Sequence, residues 1–266
     1  LKANRSGVYA FSAAITACAR AGQSAANRGD AATAVQYTEK AIELLNQMRG
    51  LGLTPDQYTY AAAIQACAAG GAAYTRRAAE LFTENALTQG GAPNMIVFNS
   101  ILDAVRRNPE LSNLFWRRAL QVGVYGERVV NWSQLASGGF AGWIDLHNFG
   151  PGAAEAAVRW WLEVPVREAL KMERESGGGE CGEIHSLRII TGHGKTRPSH
   201  QVSDANEDLR WTIDNLLVSI KCPTLLNVPL DPAKAMGALS LDVGAVRWQL
   251  NAQAEASTES CTESST

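Results

Sequence analysis

Over roughly the first 125 residues, apolar positions recur at helical spacing in runs separated by short turns of Gly, Pro, Asp and Asn. The run "FSAAITACARAG" at 11–22 and the run "YAAAIQACAAGG" at 60–71 agree at seven of twelve positions with an offset of 49, which sets Cys18 on Cys67. A fainter third copy, "FNSILDAVRRNP", occupies 98–109, offset by 38 from the second. The turns "GLTPDQYTY" and "GGAPNMIVF" lead the second and third copies. A second amphipathic stretch follows each of the first two, "ATAVQYTEKAIELLNQMRGLG" and "YTRRAAELFTENALTQGG", with Gly and then Pro as the stop. Self-similar units of two helices predict an α-solenoid. Its small apolar residues let neighbouring helix pairs approach closely, which makes Cys18 and Cys67 packing residues. The stretch "QSAANRGDAATAVQY" lengthens the first unit and predicts an extended turn between its helices, with Asp30 as an N-cap.

The pattern changes after "NPELSNLFWRRALQVGVY", which is expected to close the helical array, and the Gly/Ser-rich "SQLASGGFAG". "WIDLH" reads as a strand that runs into "NFGPGAAEAAVRWWLEV". There Gly150 and Pro151 mark a helix start, and Ala157, Trp160, Trp161 and Val164 follow at i, i+3, i+4, i+7. "PVREALKMERES" continues as helix with a solvated charged face, and "LRIIT" is a strand. A further helix is expected over about 200–219, and short strands near "PTLLNV" and "GALSLDV". Strands alternating with helices predict an α/β domain. The expected organisation is helical repeats over 1–130, two full and one degenerate; a linker over 131–142; an α/β domain over 143–251; and a disordered acidic Ser/Thr tail over 252–266.

Composition narrows the function classes. With 46% hydrophobic and 19% charged residues the chain can bury a core, and no apolar run approaches the ~20 residues that span a bilayer, so membrane insertion is not expected. Five cysteines without a CxxC pair read as free thiols rather than a zinc site. Net charge is −2, yet residues 1–130 hold 13 Lys and Arg against 9 Asp and Glu, a local excess of +4 of the kind that phosphate binding needs. The first residue is Leu1 and no signal-like segment follows, so a targeting segment and further repeats are expected upstream.

One stretch, "LRIITGHGKTRPSH" at 187–200, imitates the end of a nucleotide-binding loop. Such a loop needs a glycine five places before its Gly-Lys pair, and counting back from Gly194 gives Ile189. The glycines must serve another purpose.

The segment from "TPDQYTYAAAI" to "GGAPNMIVFNSIL" resembles pentatricopeptide repeats, a resemblance that covers residues 6 to about 125. The resemblance implies single-stranded RNA as partner, read one base per helix pair by a residue early in the first helix and one at the end of the repeat. Carried over by position, the pairs are Ser12 with Asp56 and Ala61 with Asn94, while Asn99 opens a third. Asp56 only accepts hydrogen bonds and suits the donating edge of guanine or uracil, whereas the amide of Asn94 serves either kind. Ala61 departs from the usual polar residue. The competing expectation is a protein-binding array, as in tetratricopeptide repeats, with these residues serving as turn residues.

Residues 142 to about 250 resemble the Smr domain, through "IDLHNFGPGAAEAAV" for an Asp-Leu-His signature and "IITGHGK" for a Thr-Gly-x-Gly turn. That resemblance implies nucleic-acid binding and, as in some repeat-plus-Smr proteins, metal-dependent RNA cleavage. Asp145 would hold a hydrated Mg²⁺ or Mn²⁺ or act as a base, and His147 would move a proton; no tightly held cofactor is expected. Gly192, His193, Gly194, Lys195 and Arg197 would meet a phosphate. Two positions depart from the pattern: Asn148 stands where Gly is common, and His193 where many plant members carry Trp. The architecture implies RNA processing in a chloroplast or mitochondrion. A non-catalytic scaffold subunit of an organellar ribonucleoprotein assembly and a DNA-acting nuclease are the competing classes.

Overall fold

The computed structural model describes residues 2–126, 129–136, 138–175, 183–191, 209–222 and 238–250. The chain divides into two compact units: Leu1–Tyr125 with Phe149–Ala156, and Gly126–Asn148 with Ala157–Thr266.

The first unit begins with three helix pairs: α1 (Lys2–Asn27) with α2 (Ala31–Gly50), α3 (Gln57–Gly70) with α4 (Thr75–Gln89), and α5 (Met95–Val105) with α6 (Pro109–Val122). The first helices of the pairs meet in chain order, α1 on α3 and α3 on α5. Short polar side chains start the helices, Asp30 as expected and three others besides. Asp30, Asp56, Asn94 and Asn108 each accept a hydrogen bond from the backbone N–H three residues on. The long first unit has a different cause from the one expected: α1 runs for 26 residues and only three residues separate it from α2. "QSAAN" therefore extends the helix, because Ala and Gln favour helix over turn. The third copy, degenerate in sequence, likewise forms a pair of helices.

Helix α3 touches α1, α2, α4 and α5, and its Tyr60, Ala61, Ala62, Ala63, Ile64, Ala66 and Cys67 are all buried. Gly70 is required by close approach: a Cβ there would lie 2.6 Å from the Tyr74 ring and 2.8 Å from the Thr38 hydroxyl. The buried Thr38 hydroxyl is 2.6 Å from the Ala66 carbonyl oxygen and 2.9 Å from its own Ala34 carbonyl, and it ties α2 to α3. Phe82 meets Phe98 and Phe115 edge-to-face, both at 5.0 Å, and so joins α4 to α5 and α6.

In the second unit β1 (Val130–Gln134), β2 (Phe140–Asp145), β3 (Ile184–Ile190) and β4 (Ala238–Leu241) form one sheet in that order. The central pair β2 and β3 is parallel and both flanking pairs are antiparallel. Residues 131–142, expected as a linker, instead supply most of the β1–β2 hairpin. Gly138 (φ 85°) and Gly139 (φ 82°) make its turn in the left-handed region, and a Cβ on Gly139 would clash with the His185 ring at 2.3 Å. Between β2 and β3 run α7 (Pro151–Trp161), a π-helical turn (Leu162–Val166) and α8 (Arg167–Glu175). Pro165 sits inside the π turn. The wider turn accommodates a residue without an N–H and shifts the helical phase, so Leu162 and Val166 are buried while Val164, expected on the apolar face, is exposed. Trp161 is fully buried as expected. Helix α9 (Leu209–Ser219) matches the described part of the helix expected over 200–219. A helix over 243–250, not anticipated, follows β4. The expected strand at "PTLLNV" and the tail 252–266 lie outside the described residues.

Asn85 on α4 is fully buried, and among the described residues neither its Oδ1 nor its Nδ2 has a hydrogen-bond partner. Such atoms lose their water without compensation. Asn85→Leu, which keeps the branching at Cγ and removes both polar atoms, is expected to raise the unfolding free energy by about 1–3 kcal/mol in a urea titration; an unchanged or lowered midpoint rejects the account.

Candidate nucleic-acid interface

Asp56 Oδ1 accepts from both the backbone N–H (2.8 Å) and the hydroxyl (2.7 Å) of Thr59. Asn94 Oδ1 accepts from Val97 N–H at 3.1 Å, and its own backbone N–H donates to Gln57 Oε1 at 3.0 Å. Both residues expected to read bases are therefore helix caps first. A cap uses one side-chain oxygen, so Asp56 Oδ2 and Asn94 Nδ2 take no part in it.

The other positions divide. Ser12 is half-buried on α1, in the helix that starts the first pair. Ala61 does not fit its expected role: it is 2% exposed because α3 is enclosed by four helices, which leaves no side-chain surface for a base. Asn99 Oδ1 accepts from the Tyr125 hydroxyl at 2.8 Å.

A second series of positions went unread in the sequence. Tyr9 is 69% exposed, Tyr58 62% and Ile96 39%, and they are spaced by 49 and 38, the same offsets that relate the repeats. Tyr58 and Ile96 are the second residues of α3 and α5. Single exposed apolar side chains are common, and Leu87 and Trp248 are as open as these; what sets the three apart is their recurrence at equivalent positions of the three pairs. The signal was present in the repeat alignment, three places before Ser12, Ala61 and Asn99.

In the second unit Asp145 ends β2. Its Oδ1 accepts from the backbone N–H of His147 at 3.0 Å and lies against His147 Nδ1. Both side chains are accessible, Asp145 at 38% and His147 at 55%. The turn that brings them together places Asn148 at φ 67°. That conformation suits Gly and is tolerated by Asn better than by most residues. Leu146 N–H donates to the Ile190 carbonyl at 2.9 Å, so the parallel ladder persists to the ends of β2 and β3. The chain enters the Thr-Gly-x-Gly segment from Thr191, and Gly192, His193, Gly194, Lys195 and Arg197 lie outside the described residues.

Two of the described cysteines are set against thiolate chemistry. Burial pushes the Cys67 thiol up to about 12 and, with Asp242, the Cys222 thiol to about 11, far from thiolate formation at neutral pH. Among the described residues no three His, Cys, Asp or Glu side chains converge to hold a metal ion. Asp145 offers one carboxylate, a donor set that fits a hydrated Mg²⁺ whose remaining ligands are water and phosphate oxygens rather than a dedicated cage. No described helix is long and apolar enough to cross a membrane. No protein-family model matches the chain, and no curated protein matches it.

The cap geometry at Asp56 is directly testable. Asp56→Ala is expected to lower stability by about 1 kcal/mol in thermal or urea unfolding, while Asp56→Asn, which keeps the accepting oxygen, stays near the unsubstituted protein. Equal losses for both substitutions would contradict the cap.

Proposed function

We propose that the protein binds single-stranded RNA through a short solenoid of pentatricopeptide type and carries an Smr-like α/β domain whose Asp-His pair acts on RNA, in organellar RNA processing. The observation that carries the binding reading is the exposed series Tyr9, Tyr58 and Ile96 at the repeat offsets. Bases stack on such side chains whatever their identity, and polar groups at the neighbouring caps, Asp56 Oδ2 and Asn94 Nδ2, are of the kind that would add preference. The excess of +4 over residues 1–130 supplies attraction to phosphate.

The chemistry at the Asp-His pair follows from its hydrogen bonds. An ionised carboxylate only accepts, so the contact of Asp145 with His147 Nδ1 places the ring proton on Nδ1 and leaves Nε2 as the acceptor. Nε2 is then the atom that takes a proton from a hydroxyl attacking the phosphodiester; as the new P–O bond forms, the P–O bond to the leaving oxygen breaks and that oxygen takes a proton from water, while Asp145 holds the ring in that tautomer and stabilises the imidazolium. A bound divalent cation would be held through Asp145 Oδ2 and would supply charge neutralisation at the phosphate.

Two outcomes test this reading. Tyr9→Ala and Tyr58→Ala should each weaken binding of single-stranded RNA by about 1–3 kcal/mol in a filter or fluorescence titration, with unfolding unchanged; no loss in either removes stacking as the basis of binding. His147→Ala should slow cleavage of labelled RNA in Mg²⁺ or Mn²⁺ by about 10²–10⁴-fold, with Asp145→Asn also impaired. Equal background cutting by all three proteins leaves RNA binding without catalysis, the scaffold reading.

A further inference from the structure

Asn99 stands in the third helix pair where Ser12 and Ala61 stand in the first two, and its side chain is already engaged. The Tyr125 hydroxyl donates to Asn99 Oδ1 at 2.8 Å. The Tyr125 ring stacks on Phe149 at 4.3 Å between centroids and 21° between planes, and on Trp116 at 5.4 Å and 28°. All four residues belong to the first unit. A flat ring that presents a donor at its edge and a face to other rings makes the two contacts a nucleobase makes with its reader.

The ring is held in place. Phe149 opens the segment Phe149–Ala156, which is fastened to the third pair: Gly152 N–H donates to Asp103 Oδ1 at 2.6 Å, and Arg106 Nη2 lies 3.6 Å from Glu155. A Cβ at Gly152 would stand 2.3 Å from the Leu102 carbonyl oxygen, so only glycine permits this approach. Enclosure and the nearby Asp103 carboxylate raise the pKa of the Tyr125 phenol, which keeps it a donor.

We propose that Tyr125 is a built-in substitute for a base, and that it closes the third helix pair to RNA. Asn99 then reads nothing in the unsubstituted chain, and base recognition by this unit ends with the second pair. The inference rests on the RNA-binding reading above. It adds a specificity-determining residue that lies outside every repeat motif.

The test uses the full chain and randomised single-stranded RNA pools, with Asn99→Asp introduced in two backgrounds. Asp at 99 still accepts the Tyr125 hydroxyl but has lost the amide donor, so it alters base choice only where a base can reach it. In the unsubstituted background the selected bases should stay the same. In a Tyr125→Ala background, Asn99→Asp should change preference at one position by about fivefold or more, the effect of about 1 kcal/mol of discrimination. A change in the unsubstituted background, or none in either, overturns the proposal. Absence of any RNA binding by the unsubstituted chain sinks the RNA reading itself. Should Tyr125→Ala not fold, fluorotyrosine NMR decides: RNA should shift the Tyr9 and Tyr58 resonances and leave that of Tyr125 in place, and a comparable Tyr125 shift overturns the proposal.

Discussion

The first unit depends on how closely its helices approach α3. Four helices enclose it, so there is room at its surface for Ala61, Ala62, Ala63, Ala66 and Ala69 and little for anything larger. The approach continues across its neighbours: a Cβ at Gly22 of α1 would stand 3.3 Å from that of Ala69, and Gly70 lets Tyr74 and Thr38 close over the helix end. Large rings are displaced to the seams further along, where Phe82, Phe98 and Phe115 interlock. The same constraint takes Ala61 out of any interface. A position chosen for contact between helices has no side-chain surface left for a ligand.

Much of this was legible because helix pairing leaves a strong trace in sequence. The offset of 49 between two Ala- and Cys-rich runs records α1 and α3, while Asp56 and Asn94, expected as base readers, are the caps of α3 and α5. The hairpin β1–β2 left a weaker trace. Among the described strands β1 pairs with β2 alone, and it has no buried position, so the alternation that identifies a strand is missing from "VNWSQ". Its turn was nevertheless visible: Gly138-Gly139 is a dipeptide suited to the left-handed region, read as linker composition instead. The π turn was hidden for a different reason. Its single signal, Pro165, lies in an otherwise regular helical pattern, and periodicity alone extends the helix straight through Val164.

The candidate site divides in the same way. Asp145 and His147 could be named from sequence because "DLH" matches the signature that the resemblance carries, and the structure adds that one carboxylate oxygen meets both the backbone and the ring of the second residue after it. What the sequence did not supply was direction, namely which imidazole nitrogen faces Asp145. Tyr9, Tyr58 and Ile96 were overlooked although the alignment contained them, because a reader of bases is sought among polar residues and a stacking surface is apolar. Tyr125 was beyond sequence reasoning: it lies 26 residues from Asn99, and only the fold brings its hydroxyl there.

A single chemical device recurs at the points where function is argued, and its arithmetic separates them. At Asp56, Asn94, Asn108 and Asp145 a short polar side chain accepts a backbone N–H from the residues that follow. One oxygen suffices for that, so what remains sets the chemistry available. An Asn keeps an amide that donates, and Asp56 keeps an oxygen that accepts. Asp145 goes further, because the oxygen that takes the His147 N–H also lies against His147 Nδ1, and its second oxygen is outside both contacts. The turn that ends β2 thereby sets an imidazole against a carboxylate with no residue beyond the turn itself. Asn148 at φ 67° is the cost of closing it so tightly, and a residue that resists the left-handed region would open the turn and release the ring together.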